Sequence, residues 1–220
     1  MTGSTPSGPY VLGDTDLEHE RLVRQAAIFN PFTERLLRHA GIGRGQRILE
    51  IGSGVGDVAM LAAKMVGPKG KVVGVERDIS TLAKARSRVA EARLRNVSFM
   101  ESDVGDVVSS EPFDAVIGRL ILEFLPSPGA VMRSLSTLVR PGGVIAFQDC
   151  YWGPLLQLTA HLPLRSRPRM EQRSLSFDGV GDLESLMTRL EAELVGTKTV
   201  PACIGLVGAW SQKPTSTQLL

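Results

Sequence analysis

Three glycines at alternate positions follow a short apolar run near residue 50. The segment 48–57 reads Ile-Leu-Glu-Ile-Gly-Ser-Gly-Val-Gly-Asp, with Gly52, Gly54 and Gly56 between an apolar stretch and a helix-forming stretch. Glycine tolerates positive φ and lets a ligand approach the backbone closely, so the pattern predicts a tight strand-to-helix turn. Turns of this kind bind nucleotide cofactors in α/β folds.

The residues around these glycines favour a cationic ligand over a diphosphate. A dinucleotide fingerprint has its third glycine three residues after the second, where this chain has Asp57. A carboxylate at a helix N-terminus repels a pyrophosphate but tolerates an ammonium or sulfonium group. Glu50, just before the first glycine, adds a second negative charge. The alternative is an ordinary glycine-rich turn without a ligand.

Composition fits one large cytoplasmic domain. The 220 residues are 43% hydrophobic, enough for a substantial core, and the net charge of +2 provides no footprint for nucleic acid or a membrane surface. Residues 1–9 lack an apolar signal core, and Cys150 and Cys203 stand at no metal or redox spacing. We therefore expect a small-molecule substrate, no metal, and no nucleic-acid or membrane partner; the sequence is silent on the oligomeric state.

Strand-like and helix-like segments alternate along the chain. Strands are predicted over 48–51, 71–75, 97–100, 113–118 and 144–149, and helices over 32–40, 57–66, 79–94 and 128–139. Asn30-Pro31 is expected to begin the first helix, and residues 141–143, Pro-Gly-Gly, to form a turn before the fifth strand. Because whole helices separate the strands, we predict an open, parallel sheet with helices on both faces.

Polar residues follow the strands at their carboxyl ends, where such sheets bind ligands. Glu76 ends the second strand, in the place where this kind of fold accepts hydrogen bonds from ribose hydroxyls. It fits the ribose of either a nicotinamide or an S-adenosyl cofactor. Asp103, after the third strand, favours the S-adenosyl cofactor, since it can accept the exocyclic amino group of adenine while Ser102 and Val104 frame the ring edge.

Five motifs within 47–150 resemble, in order and spacing, those of class I S-adenosylmethionine-dependent methyltransferases of the small-molecule type. They read Ile-Leu-Glu-Ile-Gly-Ser-Gly-Val-Gly-Asp, Val-Val-Gly-Val-Glu-Arg-Asp, Glu-Ser-Asp-Val-Gly-Asp, Phe-Asp-Ala-Val-Ile-Gly-Arg and Leu-Val-Arg-Pro-Gly-Gly-Val-Ile-Ala-Phe. The resemblance implies a single-domain, Rossmann-like fold whose mostly parallel seven-stranded sheet has a final antiparallel strand. It also implies methyl transfer to an oxygen, nitrogen or carbon nucleophile of a metabolite.

The resemblance implies which residues bind the cofactor. The methionine part would meet the glycine turn, with Glu50 near its ammonium group; ribose would meet Glu76, and backbone at Arg119 would close over the cofactor. The N-terminal segment resembles one branch of the family, in which a helix lies across the cofactor as a lid; packing on the sheet is the alternative. The implied set is Tyr10, Gln25, Glu50, Gly52, Ser53, Gly54, Glu76, Arg77, Ser102, Asp103, Val104 and Arg119.

The chain departs from the family after Asp149. A tail over 1–9 precedes a domain over 10–213, made of N-terminal helices (10–46), a cofactor core (47–150) and an abbreviated substrate side (151–213), and a tail over 214–220 follows. Strands are predicted over 169–177 and 203–212, with a helix over 182–194 between them.

Two residues are candidates for catalysis. Asp149 ends the fifth strand on the side where a substrate enters, and His161 has an ordinary pKa near neutrality, although a histidine in its apolar run is often structural. Two other functions stay open. The short 151–168 segment suits an S-adenosylmethionine-binding protein with little or no activity. The glycine turn with Glu76 suits an NAD-linked oxidoreductase, which Glu50, Asp57 and Asp103 oppose.

Overall fold

The structure is a computed structural model that describes residues 16–151 and 205–215. The chain divides into two compact units, Met1–Asp149 with Gly208–Leu220, and Cys150–Val207. The helices are α1 (Asp16–His39), α2 (Asp57–Val66), α3 (Ile79–Glu91) and α4 (Pro128–Leu138). The strands are β1 (Arg47–Ile51), β2 (Lys71–Glu76), β3 (Val97–Glu101), β4 (Phe113–Arg119), β5 (Val139–Tyr151) and β6 (Gly205–Gln212). Short 3-10 turns cover Val104–Asp106 and Leu122–Phe124.

The strands form one sheet in the order β3-β2-β1-β4-β5-β6. The pairs β1–β2, β1–β4, β2–β3 and β4–β5 are parallel. After the end of β6, the Lys213 N–H donates to the Gly143 carbonyl (2.8 Å), near the beginning of β5, so β6 runs antiparallel. This confirms the mostly parallel sheet with an antiparallel strand. The described residues contain six strands, and the strand predicted over 169–177 lies outside them.

Helices cover both faces of the sheet, as predicted. Ile48 and Ile117 belong to the apolar cluster under α1 and α2. Leu49 and Val116, their neighbours in the chain, belong to a second cluster that contains Leu135 of α4. Because successive side chains of a strand point to opposite faces, these clusters form the two layers of the core. Glu50 follows Ile48 on the α1 and α2 face.

The prediction that Asn30-Pro31 begins a helix was wrong. The helix α1 starts at Asp16 and continues through Pro31. Its buried side chains recur at helical spacing before and after the proline, as Ala26, Thr33 and Leu37 show, whereas Pro31 lies on the exposed face. Burial of one continuous stripe therefore outweighs the backbone hydrogen bond that proline cannot donate.

The turn predicted over 141–143 lies inside a strand. Phe113 of β4 pairs with Val139 of β5, but the next aligned pair is Ala115 with Val144, so β5 bulges between them. Gly142, at φ 72°, supplies the positive φ that the bulge needs. The fifth strand consequently begins at Val139, five residues before its predicted start at 144.

Candidate functional site

The glycine turn between β1 and α2 has the predicted backbone conformation. The φ angles of Gly52, Gly54 and Gly56 are 65°, 50° and 85°. A Cβ on Gly52 would lie 2.7 Å from Ile121 Cδ1, and one on Gly56 would lie 3.1 Å from Phe99 Cζ. Positive φ and close neighbours together explain why the turn needs glycine.

Three amides of this turn already donate to acceptors in the protein. Ser53 N–H donates to the Val75 carbonyl (2.9 Å), Gly56 N–H to the Ser53 carbonyl (2.9 Å), and Gly54 N–H to Glu76 Oε2 (3.0 Å). A pyrophosphate site needs such amides pointing at the ligand. The turn is therefore a poor diphosphate cradle, which opposes the NAD hypothesis.

Glu76 joins the end of β2 to the turn. Besides Gly54 N–H, its carboxylate accepts the backbone N–H groups of Arg77 (2.9 Å) and Asp78 (3.2 Å) through Oε1. A carboxylate offers about four acceptor positions, so it retains capacity for a ligand hydroxyl. The Arg77 side chain is exposed beside it.

The residues after β3 lie next to Glu76. Ser102 N–H donates to the Glu76 carbonyl (3.2 Å), and Ser102 Oγ donates to the Asp103 carbonyl (2.9 Å). Asp103 is exposed, and its carboxylate does not cap the 3-10 turn that follows. Val104 is half-buried against the second apolar cluster. The structure thus brings together the residues that the sequence assigns to ribose and to adenine.

Glu50 is a buried carboxyl with an unsatisfied oxygen. It is 1% exposed, and no residue of the described chain bonds its Oε2 or the buried Ser53 Oγ. Burial raises the pKa of Glu50 to about 8. The nearby Ser53 hydroxyl and the Arg119 charge lower this pKa, while Asp57 and Glu76 raise it. Without a cation beside it, Glu50 carries a proton at neutral pH.

The charge at Asp57 is balanced within the protein. Its Oδ1 lies 2.7 Å from Arg88 Nη2 of α3, and Arg88 Nη1 also donates to the Val55 carbonyl (2.7 Å). Our sequence argument counted Asp57 as a charge offered to the ligand, and the pairing with Arg88 corrects it. Of Glu50, Asp57 and Glu76, only Glu50 has a fully buried carboxylate oxygen that no described residue bonds.

Arg119 connects the end of β4 to α1 through its side chain. Its Nη1 donates to Asn30 Oδ1 (2.8 Å) and Thr33 Oγ1 (3.1 Å), and Thr33 Oγ1 donates to Gln148 Oε1 of β5 (2.6 Å). Burial lowers the pKa of Arg119, although Asp57 and Glu50 act against this. Our sequence analysis gave Arg119 a backbone role only. In the sequence, the polar residues Asn30 and Thr33 near the buried stripe of α1 are the feature that could have indicated a buried partner such as Arg119.

The N-terminal half of α1 covers the glycine turn. Leu22 Cδ1 would be 3.9 Å from a Cβ on Gly54, and His19 Nε2 lies 3.3 Å from Thr81 Oγ1 of α3. Gln25 is half-buried one turn further along the helix. This placement agrees with both the lid and the packing interpretations. Tyr10 lies outside the described residues.

Asp149 supports the segment that follows β4. Its Oδ2 accepts the Leu122 N–H (3.0 Å) at the start of a 3-10 turn. Nearby, Leu120 has φ 53°, a strained value for a side chain of this type, and its N–H donates to the Gln148 carbonyl (2.8 Å). His161 lies outside the described residues.

Two other kinds of site can be assessed over residues 16–151 and 205–215. No helix in these ranges combines the length and apolar character needed to cross a membrane. The same ranges contain no group of three His, Cys, Asp or Glu side chains arranged to hold a metal ion.

A family model described as a methyltransferase domain matches residues 42–197. The ubiquinone biosynthesis O-methyltransferase of Albidiferax ferrireducens is 29% identical over 189 residues, 83% of this chain and 73% of that protein. The arsenite methyltransferase of Halobacterium salinarum is 34% identical over 111 residues, 50% of this chain and 28% of that protein. This chain therefore spans less than a third of the arsenite methyltransferase.

Solved structures agree with the family match. A SAM-dependent methyltransferase from Aquifex aeolicus superposes with a TM-score of 0.50 and 25% identity, over 54% of this chain and 63% of that one. A coclaurine N-methyltransferase solved with SAH has a TM-score of 0.50 at 18% identity, which supports the fold alone. Both comparisons support a Rossmann-like methyltransferase fold for this chain.

Proposed function

Because the chain belongs to the methyltransferase-domain family, we propose that it transfers the methyl group of S-adenosylmethionine to an oxygen, nitrogen or carbon atom of a small molecule. The observation that carries this proposal is the buried Glu50, whose unsatisfied oxygen adjoins a glycine turn in which three amides already have acceptors. Such a turn suits an ammonium group and does not suit a diphosphate.

The residues present fit S-adenosylmethionine. Glu50 Oε2 and Ser53 Oγ are buried acceptors without partners in the described chain, and an ammonium group has three N–H donors for them. The remaining contacts are proposals that follow the sequence assignments: Gly52 and Gly54 against the methionine part, Glu76 on ribose, Arg77 beside adenine, Ser102, Asp103 and Val104 at the adenine edge, and the Arg119 backbone over the cofactor.

The helix α1 is proposed as the cover of this site. Leu22 adjoins Gly54 and places α1 over the turn, so Gln25, on the same half-buried face, would face the methionine end. Tyr10, which precedes the described residues, is proposed to join it. A covered site excludes water, which favours dispersal of the sulfonium charge.

The chemistry depends mainly on positioning. When bound, S-adenosylmethionine supplies an electrophilic methyl carbon on a positively charged sulfur. Aligning the acceptor atom in the same site supplies about 7–11 kcal/mol through proximity. Asp149, whose Oδ2 accepts the Leu122 N–H, is our first proposed general base and would orient or deprotonate the acceptor. His161 is our second proposed base.

Our finer predictions also remain proposals. They are a seventh strand over 169–177, a single domain over 10–213 with tails at 1–9 and 214–220, and a cytoplasmic location. Among the relatives, an aklanonic acid methyltransferase of Streptomyces is 32% identical over 54% of this chain, and its name places its methyl acceptor among small molecules. That class of acceptor is the one we propose here.

Calorimetry with S-adenosylhomocysteine and NADH tests the cofactor. We expect saturable binding of S-adenosylhomocysteine and none of NADH; the reverse result would overturn the proposal. Activity is tested with methyl-labelled cofactor and a metabolite extract, followed by separation of labelled products. If the protein binds the cofactor but labels no product, the non-catalytic hypothesis is favoured.

A further inference from the structure

Charged residues are segregated between the two ends of the sheet. The acids of the proposed cofactor site lie at the carboxyl ends of the strands. At the opposite end, the segments 41–47, 67–71 and 92–97 lead into β1, β2 and β3, and they contain six basic residues and no acid. Five of the six are exposed, and we call these five the basic edge: Arg44, Lys69, Lys71, Arg93 and Arg95.

Hydrogen bonds hold the three segments together. The Lys71 N–H donates to the Gln46 carbonyl (3.0 Å), which joins the first segment to the second. The Val72 N–H donates to the Asn96 carbonyl (2.8 Å), and Asn96 Nδ2 donates to the Gly67 carbonyl (3.0 Å). These two bonds join the second segment to the third. The basic edge is therefore one continuous surface, although its residues come from three separate parts of the sequence.

The charges of the basic edge are not neutralised within the part of the chain that the structure describes. None of its five side chains forms an ion pair there. The acids near the start of β4 pair with other residues, Asp114 with Arg140 (2.6 Å) and Glu111 with Arg47 (3.7 Å). Glu91, which precedes the third segment, offsets at most one of the five charges. The net charge of +2 conceals this excess, because acids gather at the other end of the sheet.

An excess of positive charge attracts a polyanion, but the side chains here are poorly suited to reading nucleic-acid bases. The three segments contain no aromatic residue on which a base could stack. Their two amide side chains are engaged within the protein. Gln46 Nε2 donates to the Gly41 carbonyl (3.1 Å), and Asn96 Nδ2 donates to the carbonyls of Ala63 and Gly67 (both 3.0 Å).

The position of the basic edge also opposes a nucleic-acid substrate. Strand β1 has five residues and spans about 16 Å, so a polyanion held at its amino end lies that far from the glycine turn. A bilayer with anionic headgroups needs only exposed cations. The residues between these cations are largely small, so the long basic side chains reach furthest from the backbone: Gly41, Gly43, Gly45, Gly67, Pro68 and Gly70.

We propose that the basic edge binds the anionic surface of a lipid bilayer, with the carboxyl ends of the strands directed away from it. Each Lys or Arg close to such a surface strengthens binding about fivefold. This binding is peripheral and goes beyond methyl transfer, on which it does not depend. It replaces our expectation of no membrane partner, which considered only the charge of the whole chain.

Sedimentation of the full chain with lipid vesicles tests the proposal. One set of vesicles contains phosphatidylcholine alone, and the other contains equal parts of phosphatidylcholine and phosphatidylglycerol. We expect saturable binding to the anionic vesicles and none to the neutral ones. Raising the NaCl concentration from about 0.05 M to about 0.5 M should abolish the binding, because salt screens exposed charges. Failure to bind anionic vesicles at the lower salt concentration would refute the proposal.

A triple variant removes one cation from each segment: Arg44→Gln, Lys69→Gln and Arg95→Gln. We expect it to bind anionic vesicles about 100-fold more weakly than the natural protein. All three positions are exposed, so its melting temperature should stay close to that of the natural protein. If this variant does not fold, the salt and lipid dependence of the natural protein still tests the proposal.

The matched control removes three exposed cations from the helices α3 and α4: Lys84→Gln, Arg86→Gln and Arg133→Gln. Both triple variants change the formal net charge from +2 to −1, since +2 − 3 = −1. We expect the control to keep its affinity for anionic vesicles within about threefold, because its charges lie away from the basic edge. Equal losses in the two variants would show a general attraction and would refute a specific edge.

Duplex RNA of mixed sequence provides the last comparison, at a phosphate concentration equal to that of the anionic lipid. We expect the natural protein to bind the vesicles more tightly than the duplex. Tighter binding of the duplex, lost in the variant of the basic edge and kept in the control, would identify nucleic acid as the partner. The bilayer proposal would then be wrong.

Discussion

Glu76 accepts hydrogen bonds from three backbone amides, those of Gly54, Arg77 and Asp78. A single side chain thereby ties the glycine turn to the end of β2. The ribose hydroxyls of a cofactor would meet an acceptor that is already oriented. Substitution at this position removes both the acceptor and its hold on the turn.

We predict that Glu76→Ala weakens S-adenosylhomocysteine binding by roughly 2 kcal/mol or more, because ribose loses a charged acceptor. Asp103→Ala should lose less, since Asp103 is exposed and the adenine amino group can turn to water. Calorimetry of both variants measures the difference. An unchanged dissociation constant for Glu76→Ala would mean that ribose binds elsewhere.

Glu50 makes stability depend on pH. Its pKa of about 8 in the folded protein exceeds the ordinary 4.5, so the folded state holds more protons than the unfolded state between these values. The free energy of unfolding therefore falls as the pH rises from about 4.5 to 8. Above pH 8 the full cost of the buried charge is present.

We predict that Glu50→Gln removes this part of the pH dependence. At pH 9 without ligand, the variant should be more stable than the natural protein by roughly 2–4 kcal/mol, taking about 1.4 kcal/mol per pKa unit and allowing for relaxation. Urea unfolding at pH 5, 7 and 9 measures this. Parallel pH profiles for both proteins would show that Glu50 is ionised in the free site.

Among the helices, α1 has the most connections at the site. It adjoins the turn through Leu22, α3 through His19, and the ends of β4 and β5 through Thr33. Pro31 interrupts its backbone hydrogen bonding on the exposed side. The helix thus keeps its course through side-chain contacts rather than through an unbroken backbone ladder.

We predict that Pro31→Ala stabilises the protein by roughly 1–2 kcal/mol, because alanine restores a backbone donor, partly offset by greater freedom of the unfolded chain. Arg35→Ala, another exposed position of α1, is the matched control and should have little effect. Urea unfolding provides both values. A loss of stability in Pro31→Ala would indicate that the proline ring sets a bend on which the contacts of α1 depend.

At the scale of the whole molecule, the described residues of the proposed cofactor site all lie in one unit, which is formed by Met1–Asp149 and Gly208–Leu220. A ligand that binds only the folded state stabilises that state by mass action. At a concentration of 100 times its dissociation constant, the stabilisation is about 2.7 kcal/mol. Cofactor binding should thus act on this unit first.

We predict that S-adenosylhomocysteine raises the melting temperature in proportion to the logarithm of its concentration once it exceeds the dissociation constant. NADH at the same concentrations should leave it unchanged. Thermal unfolding followed by fluorescence provides the measurement. A comparable rise with NADH would contradict the assignment of the turn to a cationic ligand.

Much of the fold follows from local patterns. The positive φ of the glycine turn depends on the missing Cβ, and the parallel sheet follows from strands separated by helices, so both were predictable from short segments. Helix α2 was predicted at its observed bounds because its apolar spacing begins and ends within one segment. This topology also pairs β2 with β3 in parallel, so that Glu76 and Ser102 lie at the same edge of the sheet.

Long-range pairing set the remaining features. Asp57 is neutralised by Arg88, 31 positions away, and Arg119 bonds Asn30 across 89 positions. Neither pair leaves a periodic signal, because each depends on how separate helices pack against the sheet. Residue order alone predicted a glycine turn rich in acids. Packing determined that one acid is paired and that the other, Glu50, is buried with an oxygen free for a ligand, since burial and distance exist only in the folded chain.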